Sequence, residues 1–579
     1  MNADEKDLLN RHLNGDLDAS EQAAFFARLQ ESAELRRELA SLAYDETLIS
    51  ELVLEKRAAA PARRRSWAPA AIAAAMLIGL TLILTLGRGT PLLQRVVSVE
   101  GSATYRRENT VKPIEPGLLM REGDTIETAR GVVVIEQPGG RLELRNDSSL
   151  EFREEGRRLK LAKGTLDARG DNLTISSEWG AAQLRGALAR VRVYGESMRV
   201  EVEEGSVAVE PDRKRSADSS GRMIDISAGQ YVQFGYLEHA STGRHIGRAK
   251  VDAAVRRACA FLESRRSEIV APIASEQRHA PAPRRTYAEL ALLALHRAGI
   301  PDSDPFKAEL LGMVKGRSVE STYVAAMQAM ALAEIDPVAH HERIRFCAQL
   351  LVDSQCANGQ WDYAVTTLPG VPASGPIKRR REGPASGDNS VSSYAALGLF
   401  ACAKNGVEID HDVLVRAAQW WIKCQNSDGG WGYNDAADRL ANDANRRTFT
   451  TNTSYGSATA SGVAALIALQ TARSSDRRIP EIRKGQSWLA ANFGVDRNPG
   501  KDPGFVHLHW LVSAARAGEL LRDERFGSHE WHADGTEFLL KAQQPTGGWT
   551  VEQGEFMARE KMDVLDTCLA ILFLKREGR

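Results

Sequence analysis

Four rhythms of apolar and polar residues follow one another along the chain. In residues 1–55, Leu8, Leu9 and Leu13 share a helical face and Asn14-Gly15-Asp16 offers a turn, and then Phe25, Phe26, Leu29, Leu35, Leu39 and Leu42 continue an apolar stripe. Spacings of three and four predict a small all-α unit that buries little core alone, so a partner is expected to complete it. The stretch "WAPAAIAAAMLIGLTLILTLG", residues 67–87, carries no charge and suffices to cross a hydrocarbon layer of about 30 Å as a helix. It starts too far from Met1 for a cleaved signal peptide and is expected to be an uncleaved anchor. From 96 to 235 the period falls to two: "GVVVIEQ", "RLELRN", "ARVRVYG" and "MRVEVEEGSVAVE" alternate apolar with polar residues between Gly, Asn, Asp and Ser turns, which predicts an all-β domain.

From Val251 onward helical patterns come in pairs. Charged, outer-type segments such as "HERIRFCAQLLVDSQCANGQW" alternate with Ala-, Ser- and Gly-rich partners such as "SATASGVAALIALQTA", six of each. Small side chains permit close helix approach, so the second set suits the crowded inner ring of a closed toroid. Three outer segments end alike: Gln355, Gly359 and Trp361; Gln425, Gly429 and Trp431; Gln543, Gly547 and Trp549. Glycine allows a tight turn, tryptophan folds back as an apolar lid and glutamine bonds nearby backbone, so these nine residues are expected to be structural staples. The expected architecture is therefore multidomain: a small all-α N-terminal domain (1–55), a basic juxtamembrane linker (56–66), a single transmembrane helix (67–87), an all-β domain (96–235), a linker (236–250) and a C-terminal (α/α)6 toroid (251–579).

Three resemblances attach to these segments. The pattern "LLNRHLNGDLDASEQAAFFARL…SAELRRELA" resembles the N-terminal domain of anti-sigma factors, which implies an extracytoplasmic-function sigma factor as cytoplasmic partner. Only His12 of the zinc-binding subfamily's ligand set is present, so no metal is expected there. The string "EGDTIETARGVVVIEQPGGRLELRNDSSLEFR…IDISAGQYVQF" resembles the FecR domain, a β-rich periplasmic relay, although "RGALARVRV" places Ala187 and Ala189 where that family has a G-T-x-F segment. The Gln–Gly–Trp loops resemble the QW repeats of squalene–hopene and terpene cyclases and of prenyltransferase β subunits.

Composition adds bounds. Among 579 residues, 43% are hydrophobic and 26% charged, and the net charge of −1 gives no basic excess, so no direct nucleic-acid binding is expected. The six cysteines form no C-x-x-C pair and are expected to pack as small hydrophobes. Lys56, Arg57, Arg63, Arg64 and Arg65 crowd the N-terminal flank of residues 67–87, which predicts a cytoplasmic N-terminus and periplasmic C-terminal domains around a single-pass inner-membrane span.

Candidate chemistry is sparse. The cyclase resemblance would require an acidic D-x-D-D-T, and Asp563-Val564-Leu565-Asp566-Thr567 puts Leu565 where the proton donor belongs. The prenyltransferase resemblance would require zinc ligands, and Asp566 stands where a histidine is expected. His507 and His509 are poorly spaced to share a metal and are expected to pack or cap. No catalytic residue, cofactor or metal is therefore assigned. Asp388, Asp563 and Asp566 remain as cavity candidates, Asp388 with a helix-capping alternative. The insertions at 362–388 and 433–457 both precede inner helices and would crowd one mouth of the ring, the expected place for an envelope ligand or protein. The basic run Lys378–Arg381 is expected to be solvated, or to meet an acidic glycan or protein, and the strand residues Glu201, Glu203 and Glu204 are expected to form a solvated face. The reading these features favour is a membrane-anchored regulator that binds a sigma factor inside and relays an envelope signal from outside; the alternatives are a membrane-tethered enzyme acting on a terpenoid or polysaccharide, or an envelope scaffold.

Overall fold

The structure, a computed structural model, describes residues 94–576 apart from 138–139, 155–156, 196, 216, 218–221, 236–239, 272–286, 366–367, 369, 437–451, 476–478, 502–505 and 551–561. The chain divides into two units, Met1–Thr90 and Pro91–Arg579, and every described residue belongs to the second. That unit is a β-rich region followed by a helical one.

Two expectations are corrected here. Among the described residues no helix is long and apolar enough to cross a membrane, so the fold class with a transmembrane helix and an all-α N-terminal domain gives way to sheet followed by helices. The single-pass inner-membrane placement is corrected on the same finding. Segments 1–55, 56–66 and 67–87 themselves lie outside the described residues.

Among the described residues thirteen strands form one almost wholly antiparallel sheet, whose main path runs β13 (Ser241–Arg244), β12 (Gln230–Gly235), β10 (Ser197–Pro211), β9 (Gly180–Tyr194), β8 (Leu173–Ser176), β7 (Arg158–Gly170), β5 (Gly140–Leu144), β4 (Thr125–Gln137), β1 (Gln94–Arg107) and β2 (Thr110–Pro113). Its spine is three long strands, β7 (Arg158–Gly170), β9 (Gly180–Tyr194) and β10 (Ser197–Pro211). Period-two patterning sends Leu166, Val191, Val200 and their alternates into a single core. The alternation fails at Met198–Val202 of β10, where five successive residues are buried. Met198, Val200 and Val202 face the core, while Arg199 and Glu201 on the opposite face are covered by the helical region. The expected linker 236–250 holds a further strand, β13 (Ser241–Arg244), and the start of the first helix, because pairing with β12 (Gln230–Gly235) extends the sheet.

Among the described residues the helical region has six outer helices: α1 (Arg248–Ser264), α4 (Pro305–Gly316), α6 (His341–Asp353), α8 (His411–Lys423), α10 (Pro480–Asn492) and α12 (Trp531–Ala542). They alternate with six inner ones: α3 (Tyr287–Arg297), α5 (Thr322–Ile335), α7 (Asn389–Lys404), α9 (Gly456–Ala472), α11 (His507–Leu521) and α13 (Asp563–Leu574). A single turn, α2 (Arg266–Ile269), follows α1. Each inner helix packs against the next, and α13 packs back on α3, which closes the ring. Buried residues lie on every face of α9, as expected for an element enclosed on all sides. Gly462 of α9 and Gly485 of α10 make room for Trp431, since a Cβ at either would stand 2.6 Å from its ring.

Candidate functional site

The three Gln–Gly–Trp loops share one set of bonds. Each indole Nε1 donates to the carbonyl ten residues back in the preceding outer helix: Trp361 to Leu351 (2.7 Å), Trp431 to Trp421 (2.9 Å) and Trp549 to Leu539 (2.9 Å). Each glutamine Nε2 reaches a carbonyl of the next outer helix: Gln355 to Val413, Gln425 to Glu481 and Gln543 to Ala254, at 2.8–2.9 Å. Gly359, Gly429 and Gly547 have φ of +95°, +87° and +91°, and a Cβ at Gly359 would come within 2.4 Å of the Arg416 carbonyl oxygen. Left-handed backbone in close contact leaves glycine as the residue that fits. The fifth pair lacks the loop's Gln and Trp; there Trp510, on the inner helix itself, donates to the Gly494 carbonyl at 2.9 Å.

The staples also place the start of the inner helices. The tryptophan N–H groups donate to Ser392, Thr459 and Thr567, each a hydroxyl on the following inner helix, at 2.9–3.1 Å. In return the N–H of Asp388 donates to the Trp361 carbonyl and that of Tyr455 to the Trp431 carbonyl, both at 3.1 Å. Asp388, Tyr455 and Asp563 each stand four residues before such a hydroxyl, so the repeat sets them in equivalent register at one mouth. The Thr567 hydroxyl in D-V-L-D-T thus serves a staple.

Only one of the three anchors a polar cluster of tyrosines. Asp388 caps α7: its Oδ1 accepts from the Val391 N–H and the Ser390 hydroxyl, both at 2.8 Å. Its Oδ2 accepts from the Tyr433 hydroxyl at 2.9 Å. Tyr363 lies 2.8 Å from the Tyr433 oxygen, and Tyr323 lies 2.8 Å from that of Ser390. Because Tyr433 and Ser390 spend their protons on the carboxylate, Tyr363 and Tyr323 must be the donors in these outer bonds. Two relays, one from each inserted or inner segment, therefore end on a single carboxylate. Burial and then the Asp388 charge push the Tyr323, Tyr363, Tyr433 and Tyr455 phenols above their ordinary range, which keeps them protonated.

Rings continue inward. Tyr323 meets Tyr363 at 5.9 Å and Tyr394 at 5.1 Å, and Tyr394 stacks on His509 at 6.0 Å. The Arg516 guanidinium sits 5.3 Å from the Tyr394 ring centre. Burial and Arg516 push the His509 imidazole down to about 4, so it is neutral near pH 7. His507 instead bonds the Val495 carbonyl at 2.7 Å. Asp563 is drawn to Arg265 at 3.1 Å, and Asp566 is buried in the first turn of α13; neither joins the tyrosine cluster. Among the described residues no cluster of His, Cys, Asp and Glu could hold a metal ion.

Two expectations of solvated charge are corrected. Arg380, within the 378–381 run, inserts its guanidinium onto the fully buried carboxylate of Asp353 at 2.8 Å. Glu201 is 3% exposed and pairs with Arg199 at 2.8 Å and Arg192 at 3.3 Å, and Glu203 holds Arg248 at 2.9 Å; only Glu204 is exposed. These belong to a charged seam between sheet and ring. Arg199 also binds Glu524 at 3.1 Å and lies 3.8 Å from the Tyr231 ring centre. Arg248 reaches Asp167 at 2.8 Å, and Arg244 joins Glu530, Asp534 and Glu537. Sequence reasoning missed the seam because its partners come from separate elements. The one local signal was a strand with Arg and Glu on its supposed solvent face opposite a full apolar face.

No family model matches the chain, and no curated protein matches it. Among solved structures it is similar to an anti-sigma factor from Parabacteroides distasonis, described as putative, at 14% identity and a TM-score of 0.19, covering 23% of this chain and 64% of that one. It is also similar to the type II terpene cyclase MstE from Scytonema (14% identity, TM-score 0.34, covering 56% and 98%). A family 76 glycoside hydrolase from a bovine Bacteroides thetaiotaomicron strain is similar at 9% identity and a TM-score of 0.38, covering 66% and 95%. The chain thus spans less than two thirds of the anti-sigma structure it matches. Likenesses this distant assign no activity, and none bears on the FecR-like reading of residues 96–235.

Proposed function

We propose that the protein is a regulator whose helical ring receives a hydroxyl-rich ligand, such as a glycan, at the Asp388 mouth. In this reading the FecR-like β region links the ring to residues 1–55, which hold an extracytoplasmic-function sigma factor. The observation that carries the ligand half is the pair of relays on Asp388. With their protons turned towards the carboxylate, the Tyr323 and Tyr363 oxygens offer lone pairs outward. A ligand rich in hydroxyl donors matches that pattern, and the tyrosine faces suit the C–H surface of a sugar. A single carboxylate saturated by three donors is a fixed acceptor, which favours binding over acid–base chemistry. The sigma-factor half is supported by the helical pattern of residues 1–55, which lies outside the described residues.

The halves are tested separately. Calorimetric titration of the full chain with a panel of short oligosaccharides is expected to give saturable binding that Tyr433→Phe weakens about tenfold, as for a lost charge-assisted bond. No binding by any glycan, or unaltered binding by the variant, would remove the ligand reading. Co-expression with a candidate sigma factor is expected to yield a complex that deletion of residues 1–55 abolishes, with a matching rise in sigma-dependent transcription. Transcription that ignores the deletion would remove the partner.

A further inference from the structure

The inner helices face the interior of the ring, and α11 shows what its packing leaves open. From His507 to Gly518 every residue is buried except His509 and Arg516. These two stand two helical turns apart and so share one face. That face looks across the ring. His509 stacks on Tyr394 of α7 at 6.0 Å, and α9 stands between α7 and α11, so the contact crosses the interior. Tyr394 also meets the Tyr323 ring at 5.1 Å and the Arg516 guanidinium at 5.3 Å. One aromatic ring therefore joins the guanidinium to the tyrosines that converge on Asp388.

Arg516 carries its charge without a counter-charge. Arg297, Arg317, Arg380 and Arg576 are likewise half-buried, and each meets a carboxylate: Glu334 at 2.8 Å, Glu289 at 3.1 Å, Asp353 at 2.8 Å and Glu524 at 2.8 Å. Among the described residues no carboxylate pairs with Arg516 and no hydrogen bond holds it; what touches it is the Tyr394 ring. A cation drawn partly out of water is destabilised unless an anion meets it, and an aromatic face supplies only part of that compensation. Burial and then Arg516 lower the neighbouring His509 imidazole, with no carboxylate among the described residues acting the other way. The neutral imidazole adds one donor and one acceptor beside the guanidinium.

We propose that the interior of the ring selects an acidic glycan, with the carboxylate of a uronic acid unit seated on Arg516 and neighbouring hydroxyls on Tyr323 and Tyr363. The inference rests on the hydroxyl-rich ligand read at the Asp388 mouth and names its class. A guanidinium receives a carboxylate through two parallel N–H···O bonds, a geometry an ammonium does not copy. Asp388 fixes the direction of the phenol groups and Arg516 supplies the selection for charge, so the two contributions are separable.

The test is calorimetric titration of the full chain with trimers of galacturonate, glucuronate and mannuronate, each beside its carboxyl-reduced, neutral counterpart, at constant ionic strength. At least one acidic trimer is expected to bind about tenfold more tightly than its neutral counterpart, as for a gained charge-assisted pair. Arg516→Gln is expected to abolish that ratio, to leave affinity for the neutral trimer at the parent's value, and to unfold at or above the parent's temperature, because an uncompensated charge is removed. Arg516→Lys keeps the charge without the fork and is expected to retain part of the ratio. Equal binding of acidic and neutral trimers, or an unchanged ratio in Arg516→Gln, overturns this proposal and leaves the Asp388 reading standing; no binding by any trimer removes both. Acid-selective binding that Tyr433→Phe leaves unaltered sustains Arg516 and removes the Asp388 half.

Discussion

The Gln–Gly–Trp loops hold the ring with uncharged groups bonded to backbone carbonyls, whereas the seam joining sheet to ring is held by buried charge on side chains from separate elements. The loop recurs after three of the six outer helices with the same bonds each time. The seam has one copy and one geometry. Glu201 must meet Arg199 and Arg192, and Arg199 must meet Glu524, or a charge is left in a dry place. Neutral repeats give the ring its stability, and the ionic seam gives the two regions their fixed relation.

Substitutions should separate the two. The largest effect is expected from Trp431→Ala, which empties a fully buried site and should cost about 3–5 kcal/mol in urea unfolding followed by helical circular dichroism. Glu201→Gln is expected to cost about 3 kcal/mol by leaving Arg199 and Arg192 under-compensated, with the loss read as release of the sheet, such as new proteolytic cleavage near residues 236–250.

Acid should weaken the seam. Burial would raise the Glu524 carboxyl, but Arg199 and Arg576 overcome it and bring the group down to about 2 from an ordinary 4.5. A lowered carboxylate stabilises the fold above its unfolded value, so that contribution should disappear as pH falls from 4.5 towards 2. Urea unfolding across that range is the measurement, and a stability that stays flat from pH 4.5 to 2 would contradict it; the Gln–Gly–Trp side chains carry no group that titrates there. Gln425→Ala should cost only about 1–2 kcal/mol, for two hydrogen bonds to carbonyls. Least of all, Lys163→Ala should change stability by less than about 0.5 kcal/mol, because its partner Asp147 is 81% exposed.

The same contrast explains what could be read in advance. The helical pairs and the Trp–Gly turns are written in spacings of a few residues, so their alternation in sequence carries over into alternating inner and outer helices. Asp388 as a cap was legible from Asp-Asn-Ser before an apolar run. Its tyrosine partners were not, since Tyr363 and Tyr433 are brought to it by insertions whose paths no periodicity encodes, and Tyr323 by the separate inner helix α5. Glu201 and Glu203 were misjudged for a related reason: alternation reports which face of a strand is polar, but not whether another element later covers that face.

Gln543 bonds to the carbonyl of Ala254, 289 positions earlier. During synthesis the first outer helix must therefore wait, with that edge bare, until its last neighbour has been translated. Intermediates on the ribosome are open arcs, prey to chaperones and to pairing with another unfinished copy, and the final latch makes folding of this ring a late, slow event.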